Sequence, residues 1–345
     1  MAEEGGRRVL LTGLAGVLAG RLAARLEADE GVDYIAGVDL REPRHDLTRT
    51  EFVRADLRSP LVAKVVESTG VDTIVHLAVT ATPRRAGGRA RMKEHNVIGT
   101  MQLFGAGQKA PALRKVVVKS TTAVYGSSYA DPALFREDAA PEVANQSGYG
   151  KDAADVEGYA RAFGRRRGDV TLTILRFANF IGPTVETPLT SYLALPVVPT
   201  VLGFDPRLQL CHEFDAVEVL YRSVRGDRGG IYNVAGPGMV YLSQAIRLTG
   251  RVPMPVPLPF VNATAGLVRR TGGVDFSPEQ LRLLMYGRVG DISRLRDRFG
   301  YEPAYSTKEA LAAFIASGRA HPVIDRDTVA RVERQMVDFL NAEAR

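Results

Sequence analysis

Short apolar runs rich in β-branched residues alternate with helix-spaced segments through the first 180 residues, and few folds accept that rhythm. RVLLTG (8–13), YIAGVDL (34–40), EFVRADL (51–57), VDTIVHLAV (71–79), RKVVVKST (114–121) and VTLTILRFAN (170–179) read as strands. Helical spacing fills 15–29, 61–69, 89–109 and 149–167 between them. Near-continuous apolar strands separated by helices are buried on both faces, so the expectation is an α/β fold around a parallel sheet. The strand at 170–179 is expected to close the series. Beyond Asn179, proline-rich stretches such as LPVVPTVLGFDP and RVPMPVPLPFVN mark a smaller, irregular lobe. The predicted division is 1–180 for the sheet domain and 181–345 for that lobe, with elements returning to the sheet; 327–345 reads as an amphipathic surface helix.

Charge and cysteine usage narrow the function classes. The net charge is +6, and the basic clusters at 83–93 and 164–169 lack interleaved aromatics that would stack bases. They read as solvated helix ends and loops, and no nucleic-acid partner is expected. No apolar run approaches the ~20 residues of a membrane span. The polar opening MAEEGGRR and the lone Cys211, a buried and inert thiol in this reading, suit a cytoplasmic protein without disulfides. His76 reads as a satisfied core histidine, and no metal site is expected, because His212 has no second ligand at metal spacing.

A dinucleotide site is legible at the first strand. Gly13 and Gly16 occupy its turn into a helix, with Ala19 as a third small residue. The first glycine permits the tight turn; the second lets backbone N–H groups and the helix N-terminus approach a pyrophosphate. Asp39 ends the second strand, where a carboxylate bonds both ribose hydroxyls and repels a 2′-phosphate, which favours NAD over NADP. Asp56, followed by Leu57, is placed to reach the adenine amino group.

With VHLAV (75–79), HNVIGT (95–100), STTAVYG (120–126), SGYGK (147–151), LRFANFIGP (175–183) and a late motif from Gly290, the chain resembles the extended short-chain dehydrogenase/reductases of the NAD-dependent epimerase/dehydratase group. That resemblance implies a Rossmann-type doubly wound sheet binding NAD, with a C-terminal lobe holding a UDP- or dTDP-sugar, in a homodimer paired through the helices at 91–109 and 149–167. It implies that Val17 and Leu18 help hold the pyrophosphate, that Leu77, Ala78 and Val79 line the nicotinamide-side ribose, and that Asn96 steadies sheet and cofactor. Thr121 becomes the catalytic hydroxyl, with Thr122 beside it; Asn179 and His212 (in an H-x-x-D turn with Asp215) fall at substrate-binding positions. The family's substrate arginine would fall on Leu208, next to Arg207. No acidic pair follows Thr121, so epimerisation through a keto intermediate is preferred to dehydration.

One departure bears on catalysis. The family's acid–base tyrosine has a lysine four residues later, about 40° away around the helix. That lysine holds the ribose and helps bring the phenol from ~10 toward ~7, roughly 4 kcal/mol of electrostatic help. Here Tyr149 is followed four residues later by Ala153, and Lys151 stands at plus two. Three expectations stay open: Tyr149 works alone, an irregular helix start swings Lys151 back to the ribose, or the site binds NAD and sugar nucleotide without turning over.

Overall fold

The computed structural model describes residues 6–140, 148–261 and 277–320; Ser147 and the helix expected at 327–345 lie outside them. The elements run β1 (Arg7–Thr12), α1 (Val17–Glu27), β2 (Val32–Asp39), β3 (Thr50–Arg54), α2 (Leu61–Thr69), β4 (Thr73–His76), α3 (Pro83–Ala86), α4 (Arg89–Lys93), α5 (Gly99–Gln108), β5 (Lys115–Thr121), α6 (Tyr149–Arg166), β6 (Thr171–Phe177) and β7 (Asn179–Ile181). There follow α7 (Pro188–Leu193), β8 (Val197–Val201), β9 (Arg207–Leu208), β10 (Leu210–His212), α8 (Glu213–Arg225), β11 (Gly230–Val234), β12 (Val240–Tyr241), α9 (Leu242–Leu248) and β13 (Val252–Val256). The last described helices are α10 (Pro278–Tyr286), α11 (Ser293–Asp297) and α12 (Thr307–Ala316).

Seven parallel strands form the central sheet in the order β11-β6-β5-β4-β1-β2-β3. The order reverses between β1 and β4, the switch point at which open α/β sheets bind ligands. Alternate strand residues supply two cores. Val9, Leu11, Val75 and Val117 pack toward α1 and α8, while Leu10, Ile74, Val116 and Val118 pack toward α2, α5 and α6. Where the pattern at 170–179 was expected to close the sheet, β11 adds a further edge strand beside β6. A third core, centred on Ile181, Leu193, Leu208, Ile246, Leu311 and Phe314, belongs to the C-terminal lobe.

Two expected elements are cut short for identifiable reasons. β4 stops at His76 because the Thr12 hydroxyl accepts the Leu77 and Ala78 N–H groups (3.1 and 3.3 Å), turning the chain off the sheet. The helix expected at 89–109 carries a π turn over Glu94–Ile98, between α4 and α5. The turn contains Asn96, whose side chain bonds the Thr80 N–H and carbonyl (2.9 Å each) and reaches Asp152 on α6 at 3.2 Å.

Candidate active site

The turn after β1 forms around Gly13, which has φ +77°. A Cβ there would meet the Ala78 Cα at 2.8 Å, so only glycine lets the turn lie against the chain leaving β4. Gly16 is the N-cap of α1 and offers no side-chain cap, leaving the helix's first N–H groups to a ligand. Val17 opens the helix, and Leu18 and Ala19 of its first turn are buried. Asp39 accepts hydrogen bonds from the N–H of Ala15 (3.0 Å) and of Arg41 (3.1 Å), holding its carboxylate beside the glycine turn. These groups fit a dinucleotide. Asp56 is tied to Arg58, which pulls its carboxyl below the usual range, with Leu57 buried next to it.

At the carboxyl end of β5, on the same edge of the sheet, a cavity of about 90 Å³ is lined by Thr121, Tyr149, Asn179, Glu279 and Arg288, with Ala81, Leu189 and Tyr192 as apolar wall. Thr121 and Tyr149 share this wall, and the threonine hydroxyl acts on the phenol from close by. Thr122 is buried and starts a short 3-10 turn, outside that wall.

Tyr149 is the first residue of α6, behind Gly148 at φ +77°. A Cβ on Gly150 would meet the Ala123 carbonyl at 2.7 Å, so this glycine lets the helix start close on the end of β5. Arg89 then clamps it, donating to both Asp152 carboxylate oxygens (2.7 and 2.8 Å) and to the Gly148 carbonyl (2.8 Å).

The helix is regular from Tyr149 onward, and this corrects the expectation for Lys151. Instead of swinging back to the cleft, Lys151 lies part-exposed beside Asp155 at 3.6 Å and takes no part in lining the cavity. Ala153 is buried among Val124, Tyr125 and Phe135, so the plus-four position is filled by packing.

The neighbour that the phenol does have is a carboxylate. Glu279, from α10, accepts the Gly150 N–H at 3.0 Å. Burial pushes the Tyr149 pKa well above its ordinary value, and the charges of Glu279 and Asp152 push it further; Arg288 opposes them. Burial also raises Glu279. Arg288 donates to the Gly126 carbonyl at 2.8 Å, while its buried Nε has no partner among the described residues.

His212, expected to touch substrate, is placed differently. It caps α8 by accepting the Phe214 N–H at 3.3 Å and stacks on Tyr305 at 3.7 Å, away from the cavity wall. Asp215 accepts the Tyr301 hydroxyl (2.6 Å) and the Ala304 and Tyr305 N–H groups. The turn is therefore a clamp between α8 and the segment before α12. Leu208 is buried in the lobe's core, and the guanidinium in the cavity comes from Arg288. Glu279 and Arg288 were missed in the sequence; Arg288 stands just ahead of the recognised late motif, while no motif flags Glu279.

His76 bonds Thr12 (2.8 Å) and Thr100 (2.9 Å), and burial pulls it down to about 3, a neutral core residue. Cys211 is buried and its thiol is pushed up by that burial. Among the described residues no helix is long and apolar enough to cross a membrane, and no cluster of three His, Cys, Asp or Glu side chains could hold a metal.

A doubly wound parallel sheet with a glycine turn, an aspartate at the end of β2 and a Thr–Tyr pair beyond β5 defines a Rossmann-type short-chain dehydrogenase architecture. The chain belongs to the NAD-dependent epimerase/dehydratase family, whose model matches residues 9–235. It is 45% identical over 333 residues to an uncharacterised protein of Mycobacterium tuberculosis, covering 95% of this chain and 89% of that one. It is 25% identical over 325 residues to UDP-glucuronic acid decarboxylase 6 of Arabidopsis thaliana (88% and 86% covered). Its fold matches the NAD complex of Thermus thermophilus UDP-glucose 4-epimerase with a TM-score of 0.70 and 20% identity, covering 91% of this chain and 99% of that one. The dTDP-glucose 4,6-dehydratase of Streptomyces venezuelae gives 0.68 and 24% (91% and 97% covered).

Proposed function

We propose that this protein is an NAD-dependent nucleotide-sugar epimerase that runs its chemistry on Tyr149 and Thr121 without a lysine on α6. The Thr121–Tyr149 pair on the wall of one cavity beyond the glycine turn carries this reading. NAD, when bound, would accept a hydride from a sugar carbon and return it to the opposite face. Gly13, Gly16 and the uncapped start of α1 would hold the pyrophosphate, and Asp39 the adenosine ribose. Tyr149 would take the proton of the reacting hydroxyl while Thr121 orients its oxygen. Arg288, whose buried Nε has no partner among the described residues, suits the sugar's diphosphate; Asn179 is on the same wall.

One observation favours a second reading. A phenol held neutral by burial and two carboxylates suits a module that binds NAD and sugar nucleotide as a sensor or partner protein. Incubation with NAD and a panel of UDP- and dTDP-sugars separates the two. Conversion of one sugar to its epimer, without net accumulation of reduced cofactor, is expected; saturable binding of both ligands with every sugar unchanged would sink the enzyme reading.

The working unit we propose is a homodimer. Ile98 and Met101 near the start of α5 and Tyr159 on α6 are exposed apolar side chains (40%, 45% and 38%) on the two helices whose pairing is expected. Light scattering should give a two-chain mass that Met101→Glu reduces to one; a monomeric wild type would refute the pairing.

A further inference from the structure

Lys119 is a part-buried cation that nothing above uses. It lies on β5 two residues before Thr121, so both side chains leave the same face of the strand. Its ammonium donates to the Val79 carbonyl at 2.9 Å, and among the described residues no carboxylate pairs with it. Among the described residues, its other two N–H donors have no partner.

The location follows from the topology. Val79 lies just past the end of β4, in the segment whose Ala78 touches the glycine turn. β4 is next to β1 across the switch point, and β5 is next to β4. A dinucleotide with its pyrophosphate at α1 and its adenosine ribose at Asp39 must extend its other half over β4 and β5. The Lys119 ammonium stands on that path.

We propose that Lys119 holds the nicotinamide-side ribose, supplying from strand β5 the hydrogen bonds that a lysine at position 153 would have given from α6. This rests on the NAD reading above. Burial pulls the ammonium down to about 8, which leaves it mainly charged at neutral pH. Burial, Glu279, Asp152, Arg288 and Thr121 act most strongly on the Tyr149 phenol. Lys119 thus takes over the ribose duty of the plus-four lysine.

Calorimetric titration of the full chain with NAD and, separately, with ADP tests this. ADP fills only the adenosine and pyrophosphate half. Lys119→Met should weaken NAD about tenfold or more, the scale of a lost charge-assisted hydrogen bond, with ADP affinity held within about twofold. Lys119→Arg should recover most of the loss. Unchanged NAD affinity in Lys119→Met would overturn the assignment, and so would parallel loss of NAD and ADP, which marks a structural role. A wild type that binds ADP or a UDP-sugar but not NAD would instead contradict the cofactor reading itself.

Discussion

Tyr149→Phe should lower turnover of the sugar nucleotide by about 10²–10⁴-fold, the usual contribution of a positioned acid–base group, while NAD and sugar nucleotide still bind. The phenol stands with Thr121 on the cavity wall, and phenylalanine keeps its packing. The pH dependence sharpens the test. Because burial, Glu279 and Asp152 raise the Tyr149 pKa, its basic form is scarce at neutral pH, and turnover should climb as pH rises above 7. Glu279→Gln removes one of those negative charges yet keeps an oxygen to accept the Gly150 N–H. The phenol's pKa should then fall, and the rising limb should move to lower pH. A limb that stays in place in Glu279→Gln would remove Glu279 from control of the phenol. Full activity in Tyr149→Phe would remove Tyr149 from the chemistry.

The second large effect concerns the support beneath that tyrosine. Glu157, two turns further along α6, is fully buried and bonds Arg176 of β6 at 2.9 and 2.8 Å. It also accepts the Ser120 hydroxyl of β5 at 2.6 Å, and Arg176 donates to the Tyr125 hydroxyl at 2.9 Å and the Glu137 carbonyl at 3.1 Å. One carboxylate thus joins α6 to β6 and to β5, the strand that carries Thr121. Glu157→Leu would leave the guanidinium buried without its counter-ion, and urea unfolding should show a loss of about 3–5 kcal/mol. Adding Arg176→Met should restore much of it, since an apolar pair has no charge to desolvate. A Glu157→Leu protein as stable as wild type would mean that this network does not hold α6.

What the sequence made legible was local. Gly13, Gly16 and Asp39 each sit within one βαβ unit, where turn geometry and strand length place them within a residue or two. The apolar rhythm likewise predicts the parallel sheet through β6. The rest depended on chain that returns from far away. β11 joins the sheet after an excursion through the lobe, and its five residues follow turns and a helix with no pattern of their own to mark them. Glu279 meets Gly150 across 129 positions, a distance that no periodicity spans. His212 carried a motif resemblance, but its Nδ1 caps α8 and its ring stacks on Tyr305, with Nε2 buried and without a hydrogen-bond partner among the described residues. Lys151 was decided by where the helix begins, which rests on Gly148, Arg89 and Glu279 acting together.

Hydride transfer in this cleft is tested most directly with a sugar nucleotide carrying deuterium at the reacting carbon, incubated with the wild-type protein and NAD and followed by mass spectrometry. The expected product is the epimer with its deuterium retained, because the hydride leaves and returns within one site. Exchange of the label into water, or a sugar recovered unchanged, would contradict hydride chemistry at Tyr149.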